Sequence, residues 1–126
     1  MPLLTFQTTC ELSSQDQSEF AAVVTELYTD AMHTTSGHVA VVFETHDSAG
    51  MHLGRATEGP LLFLEADIRR GRPHEDKRAF ALEVMDRASE MFDIPDPNMK
   101  VVFTEHAGPE MMGVDRVGSE WDAEKA

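Results

Sequence analysis

Cysteine occurs once, at Cys10, so the chain can form no internal disulfide. Lysine is almost as scarce: Lys77, Lys100 and Lys125 are the only three. With 23 acidic residues against 10 basic ones, the net charge is −13, and such a surface repels nucleic acid and anionic membranes. We therefore expect neither as a partner. No apolar run approaches the length that crosses a bilayer. The opening Met-Pro-Leu-Leu-Thr-Phe-Gln lacks the basic and apolar regions of a signal peptide. These absences predict a cytoplasmic protein.

Familiar catalytic signatures are missing too. The six histidines have no metal-ligand spacing, and His74-Glu75-Asp76-Lys77-Arg78 begins like a zinc-protease helix without its second histidine. There is no glycine-rich phosphate loop and no nucleophile elbow. Neither a metal nor a cofactor is expected. Cys10 reads as a packed or loop thiol rather than a nucleophile.

What is present is enough for one packed domain over residues 1–126, since 41% of the residues are hydrophobic. Leu4 and Phe6 alternate with polar neighbours and predict a strand over residues 2–8. Ser14 and Gln17 have capping-box spacing, and Phe20, Val23, Val24, Leu27, Tyr28 and Ala31 follow at helical intervals. They predict a helix over Ser14–Met32, and the β-branched run His38–Thr45 a second strand. The order then recurs. Leu61–Ile68 reads as a strand, and Pro73 suits a first helical position with Glu75 and Asp76 behind it. Phe80, Ala81, Val84, Ala88, Met91 and Phe92 mark a helix face, and Met99–Glu105 a fourth strand.

The recurrence reaches individual residues. Pro2-Leu3-Leu4-Thr5-Phe6 matches Pro60-Leu61-Leu62-Phe63-Leu64 at an offset of 58. Phe20-Ala21 and Val24 match Phe80-Ala81 and Val84 at 60, as Val41-Val42-Phe43 matches Val101-Val102-Phe103. The chain reads as an α/β fold made of a tandem β-α-β repeat, with repeats at about 2–46 and 60–106 and a tail at 107–126. Right-handed crossovers make each strand pair parallel. A four-stranded sheet with both helices on one face follows. Its other face is expected to be apolar and buried against further subunits. The Asp47–Gly59 stretch reads as a polar loop, and Ser119–Lys125 as a short helix or a frayed end.

Two features carry chemistry. Proline behind the initiator methionine predicts removal of Met1, leaving a secondary amine on Pro2. An α-amino group titrates near ~8, and burial or a neighbouring cation lowers that further, which suits a general base. Arg69, Arg70 and Arg72 form a cationic island in an acidic chain, at the junction of the third strand with the second helix. Guanidinium groups there, beside the helix start, fit a small carboxylate.

Together these features resemble the tautomerase superfamily, whose members use an amino-terminal proline. The resemblance covers roughly Pro2 to Arg116. Gly71-Arg72-Pro73-His74-Glu75-Asp76-Lys77 resembles the loop and helix start of 4-oxalocrotonate tautomerase. Ile68-Arg69 with Gly71-Arg72 is similar to the fused double-unit branch that includes cis-3-chloroacrylic acid dehalogenase. The resemblance implies a homotrimer and a small carboxylate substrate. It implies Pro2, Arg69 and Arg72 as catalytic residues, with Arg69, Arg72, Tyr28 and Met112 in substrate binding. Tyr28 stands where the dehalogenases have a histidine, and Met112 where 4-oxalocrotonate tautomerase has an aromatic wall. Val102 and Gly113 stand where the dehalogenases have a tyrosine and a water-activating glutamate, with Glu110 and Asp115 nearby. The expected reaction is keto–enol proton transfer on a small 2-oxo or 2-hydroxy-dienoate carboxylate. The alternatives are hydration, dehalogenation or decarboxylation of a three-carbon acid on the same scaffold, or a non-catalytic small-acid or partner-binding module.

Overall fold

The computed structural model of the chain describes residues 1–123. Its main sheet contains β1 (Leu3–Thr8), β2 (Ala40–Thr45), β3 (Leu62–Arg69) and β4 (Met99–His106). The helices are α1 (Ser14–Met32) and α2 (His74–Phe92), and a small hairpin pairs β5 (Met112–Gly113) with β6 (Arg116–Val117). The sheet order is β2-β1-β3-β4. The β1–β2 and β3–β4 pairs are parallel, while β1 and β3 meet antiparallel in the middle. This is the expected α/β architecture, two β-α-β units joined through their first strands.

Alternation along the strands decides which face is covered. Leu4 and Phe6 of β1 and Leu64, Ala66 and Ile68 of β3 are buried under both helices. From α1, Phe20, Val24, Tyr28 and Met32 descend at four-residue spacing, one stripe of the helix, and α2 supplies Phe80, Val84 and Ala88. The Phe6 and Phe20 rings meet edge to face with centroids 5.3 Å apart. Such full burial makes truncation of either ring cost about 3–5 kcal/mol.

Local chemistry sets the helix ends, with two corrections to expectation. The α1 cap is Ser13, not Ser14. The Ser13 side chain accepts from the Asp16 N–H at 3.0 Å, and the Asp16 carboxylate accepts from the Ser13 N–H at 3.1 Å. A carboxylate outcompetes the neutral Gln17 for that role, because it also favours the positive end of the helix. Pro73 precedes the first helical turn of α2, with an extended ψ of 152°. The helices stop at His33 and Asp93, both in the left-handed region, with φ of 53° and 54°.

The sheet register corrects the repeat. Leu4 pairs with Val41 and Leu64 with Val101, so β1 and β3 are related by an offset of 60, the offset that also relates α1 to α2. The equivalent of Pro2 is Leu62, not Pro60; the apolar similarity at 58 does not reflect the paired backbone. Residues 36–38 form a 3-10 turn, so β2 begins at Ala40 rather than His38.

The uncovered face is mixed rather than apolar. Leu3, Val42 and Val102 are exposed on it. Beside them the Gln7 amide donates to Glu65 at 2.6 Å and pairs with His46 at 3.0 Å, and His106 pairs with Asp67 at 2.9 Å. The Asp47–Gly59 loop is pinned by buried Asn98. Its amide oxygen accepts from the Thr57 N–H at 2.8 Å, and its nitrogen donates to the Thr57 carbonyl at 2.9 Å. Among the described residues, no helix is long and apolar enough to cross a membrane.

Candidate functional site

The site grows from the open end of β1. Pro2 is buried, and its carbonyl accepts from the Ala40 N–H at 3.0 Å, which anchors the amino terminus between β2 and β3. Because β1 runs antiparallel to β3, its start lies beside the end of β3, where Arg69 stands. Burial, then the positive charges of Arg69, Arg72 and Arg116, lower the pKa of the Met1 amine below its ordinary value of 8.0. The amino terminus and the arginine island are thus neighbours in space.

The two arginines are held differently. Arg72 is only 6% exposed. Its Nε donates to the Met32 carbonyl at the end of α1 at 2.9 Å. Its guanidinium lies 5.9 Å from the Tyr28 ring centre and 5.3 Å from that of Trp121. Arg69 donates through Nη1 to the Ser119 carbonyl at 2.7 Å, while its buried Nε has no partner among the described residues. Arg70 points elsewhere and makes a paired contact with Glu120, at 3.0 and 3.1 Å. The cavity beside Arg69 has a volume of about 530 Å³ and is walled by Thr29, His33, Ser119 and Trp121 among others.

Tyr28 is 1% exposed, its ring edge-on to Phe80 at 5.1 Å, and it lines neither cavity at this end. Burial raises its hydroxyl pKa, with Arg72 and then Arg69 pulling the other way. Its position is that of a prop beneath Arg72. Met112 is 62% exposed and shares a cavity of about 350 Å³ with Met1, Leu3, Asp67, His106, Glu110 and Met111. Pro2, Arg69, Arg72 and Tyr28 therefore gather at one end, with Met112 on the adjoining wall. Gly113 also faces the amino terminus, since a Cβ there would lie 3.4 Å from the Met1 methyl. Cys10 lies away from this end, and burial, then Asp16 and Glu11, raise its thiol pKa, which opposes thiolate chemistry.

Over residues 118–122 the tail forms no helix and is held by contacts to Arg69 and Arg70, while Ala123 is in a 3-10 turn. Residues 118–122 run as an extended strap across the arginines, while Glu124 and Lys125 of the expected helix lie outside the described residues. Sequence reasoning missed Trp121 and Glu120 as parts of this site. The available signal was the sole tryptophan of the chain, set in an otherwise polar tail.

The backbone as a whole matches solved structures closely. A member of the cis-3-chloroacrylic acid dehalogenase family superimposes with a TM-score of 0.86 at 21% identity, over 98% of this chain and 87% of that one. This chain has the tautomerase fold. Other tautomerase-fold structures agree. A fused 4-OT described as a symmetric trimer gives 0.78 at 19% identity, over 93% of this chain and 96% of that one. Macrophage migration inhibitory factor of Toxoplasma gondii gives 0.79 at 15%, over 91% and 98%. Neither a family model nor a curated protein sequence matches the chain. Structures bearing this tautomerase fold include a malonate semialdehyde decarboxylase as well as the dehalogenase family, so the fold is compatible with several reactions.

Proposed function

We propose that the protein catalyses keto–enol proton transfer on a small 2-oxo or 2-hydroxy-dienoate carboxylate. The amine of Pro2, freed by removal of Met1, is the base. The observation that carries this reading is the setting of the amino terminus: partly buried, next to two arginines, with a lowered amine pKa. Removal of Met1 moves the amine one residue inward, onto buried Pro2, where desolvation favours the neutral, proton-accepting form still more.

In the forward direction the neutral amine accepts the enol hydroxyl proton, and the resulting ammonium returns a proton to the carbon end of the double bond. The pair left on oxygen as the O–H bond breaks becomes the carbonyl π bond, the C=C π pair forms the new C–H bond, and no water or cofactor is consumed. Arg69 and Arg72 hold the substrate carboxylate and stabilise the enolate charge that develops between the two transfers. Met112 forms an apolar wall, and Tyr28 supports Arg72 from beneath. Exposed Leu3, Val42 and Val102 on the outer face support assembly as a homotrimer.

A second reading, water addition to an unsaturated three-carbon acid, is favoured by one observation. Glu110 lines the cavity that holds Met1, and a carboxylate there suits the activation of water. One preparation separates the two. Phenylpyruvate and 2-hydroxymuconate report tautomerisation, and chloride release from cis-3-chloroacrylate reports water addition. We expect tautomerase kcat/KM to exceed dehalogenase kcat/KM, because Val102 and Gly113 supply no acid or base at the matched positions. Efficient chloride release with negligible tautomerisation would reverse the choice.

A further inference from the structure

The cavity of about 350 Å³ beside Met1 lies on the outer face of the sheet. Strand register sets its floor. Leu3 pairs with Asp67 across β1 and β3, and Arg69 pairs with His106 across β3 and β4. Asp67 precedes Arg69 by two residues, so both side chains leave β3 on the same face. Arg69, the amino terminus and this cavity are thus neighbours along one side of the sheet. Met1 is part of the lining, so its removal enlarges the space.

The lining changes character away from the arginines. No arginine or lysine is among the described residues that wall the cavity. Its ionisable side chains are two carboxylates, Asp67 and Glu110, and one histidine, His106. Leu3, Met111 and Met112 form the apolar remainder. Asp67 is partly buried, so solvent screens it less than a fully exposed charge. The duplication shows that this charge is not needed to hold the histidine. At the offset of 60, the counterparts of Asp67 and His106 are Gln7 and His46, which meet at 3.0 Å through an amide oxygen.

We propose that this cavity receives the far end of the substrate, and that Asp67 and Glu110 make the protein selective for monocarboxylates with an uncharged, apolar tail over dicarboxylates. Arg69 and Arg72 attract the first carboxylate. A second one at the far end would meet two like charges and no lining cation, which opposes binding. Leu3, Met111 and Met112 favour a hydrocarbon end instead. The inference rests on the carboxylate-anchoring role given above to Arg69 and Arg72, and it names the substrate class.

Sorbate and trans,trans-muconate test it. They share a six-carbon dienoate chain and differ at the far end, where one has a methyl group and the other a second carboxylate. Calorimetry on the purified protein should give sorbate a Kd about tenfold or more below that of muconate. Asp67→Asn and Glu110→Gln should each narrow the ratio of the two Kd values, and the double variant should narrow it most. The ratio cancels any loss common to both ligands, partial unfolding included. Added salt should narrow the wild-type ratio too, which steric rejection of muconate would not do. Muconate binding as tight as that of sorbate overturns the proposal, as does a ratio unmoved by both substitutions. Failure of sorbate to bind overturns it together with the arginine anchor. Charge-dependent selection without turnover supports the tail assignment and removes only the proton-transfer reading.

Discussion

Thr5 and Glu65 face each other across β1 and β3, and they are also each other's counterparts in the duplicated chain, 60 residues apart. The pseudo-twofold axis of the fold therefore passes between them. It carries the Arg69 end of the sheet onto the Thr9 end, and Arg72 onto Leu12. The cavity at that second end is lined by Thr9–Ser13 and Thr45–Ser48 and brings Glu11, Asp16 and Asp47 together. Two halves with one backbone plan thus differ in charge: Arg69 stands among the carboxylates of the first end, whereas the second has carboxylates and no arginine, so an anion is expected at the first end only. Calorimetric titration with a small carboxylate should give one site per chain, and a stoichiometry of two would show that the acidic end binds as well.

Pro2→Ala should remove most activity while leaving the circular dichroism spectrum intact, because the primary amine differs in basicity and geometry but the strand remains. One residue added before Pro2 should be equally damaging. The lowered amine pKa also fixes a pH profile. The surroundings that lower the Met1 amine should also lower a Pro2 amine freed in its place, so kcat/KM should rise with pH along a limb centred below that of an exposed prolyl amine and flatten above it. A limb centred at lysine-like pH would exclude the amino terminus.

Arg72→Ala should lower kcat/KM on carboxylate substrates by about tenfold or more, the equivalent of ~1.5–3 kcal/mol for one charge-assisted bond. It should also lower the melting temperature, since the Met32 carbonyl loses its 2.9 Å donor. Arg69→Ala separates the two effects, because its side chain donates to the Ser119 carbonyl of the strap rather than to the end of α1. Arg70→Ala should be milder on kcat/KM than either, its guanidinium being exposed and committed to Glu120. An essential Arg70 beside a dispensable Arg72 would invert the assignment.

Tyr28→Phe should change turnover little if Tyr28 serves as a prop, because the ring packing on Phe80 is retained. Its raised pKa gives a second readout. The folded protein favours the neutral phenol, so this stabilisation is complete below the unfolded value of 10.0 and is lost as pH rises through the higher folded value. Urea midpoints measured above pH 10 should fall more steeply for the wild type than for Tyr28→Phe. A large drop in kcat at neutral pH would instead make the hydroxyl a direct substrate contact.

Much of the fold was legible because its signals are local. The 3.6-residue spacing of Phe20, Val24 and Tyr28, and of Phe80, Val84 and Ala88, marks both helices without reference to anything distant. The wrong cap at Ser14 and the wrong offset at Pro60 arose where several residues satisfy the same short-range pattern. Only hydrogen-bond geometry chooses between Gln17 and Asp16, or between Leu62 and Pro60 as the counterpart of Pro2.

By itself, then, the sequence determined the two β-α-β units, the parallel pairing within each, and the presence of one cationic island in an acidic chain. Tertiary structure alone decided that β1 and β3 pair antiparallel, which brings the amino terminus beside Arg69 although the two are far apart in the chain. It also decided the path of the tail. Residues 118–122 have no periodic pattern, because their conformation is fixed by Gly108, Arg69 and Arg70 rather than by their own neighbours. A strap held by such distant contacts leaves no local signature, and so the placement of Trp121 on Arg72 belongs to the folded molecule only.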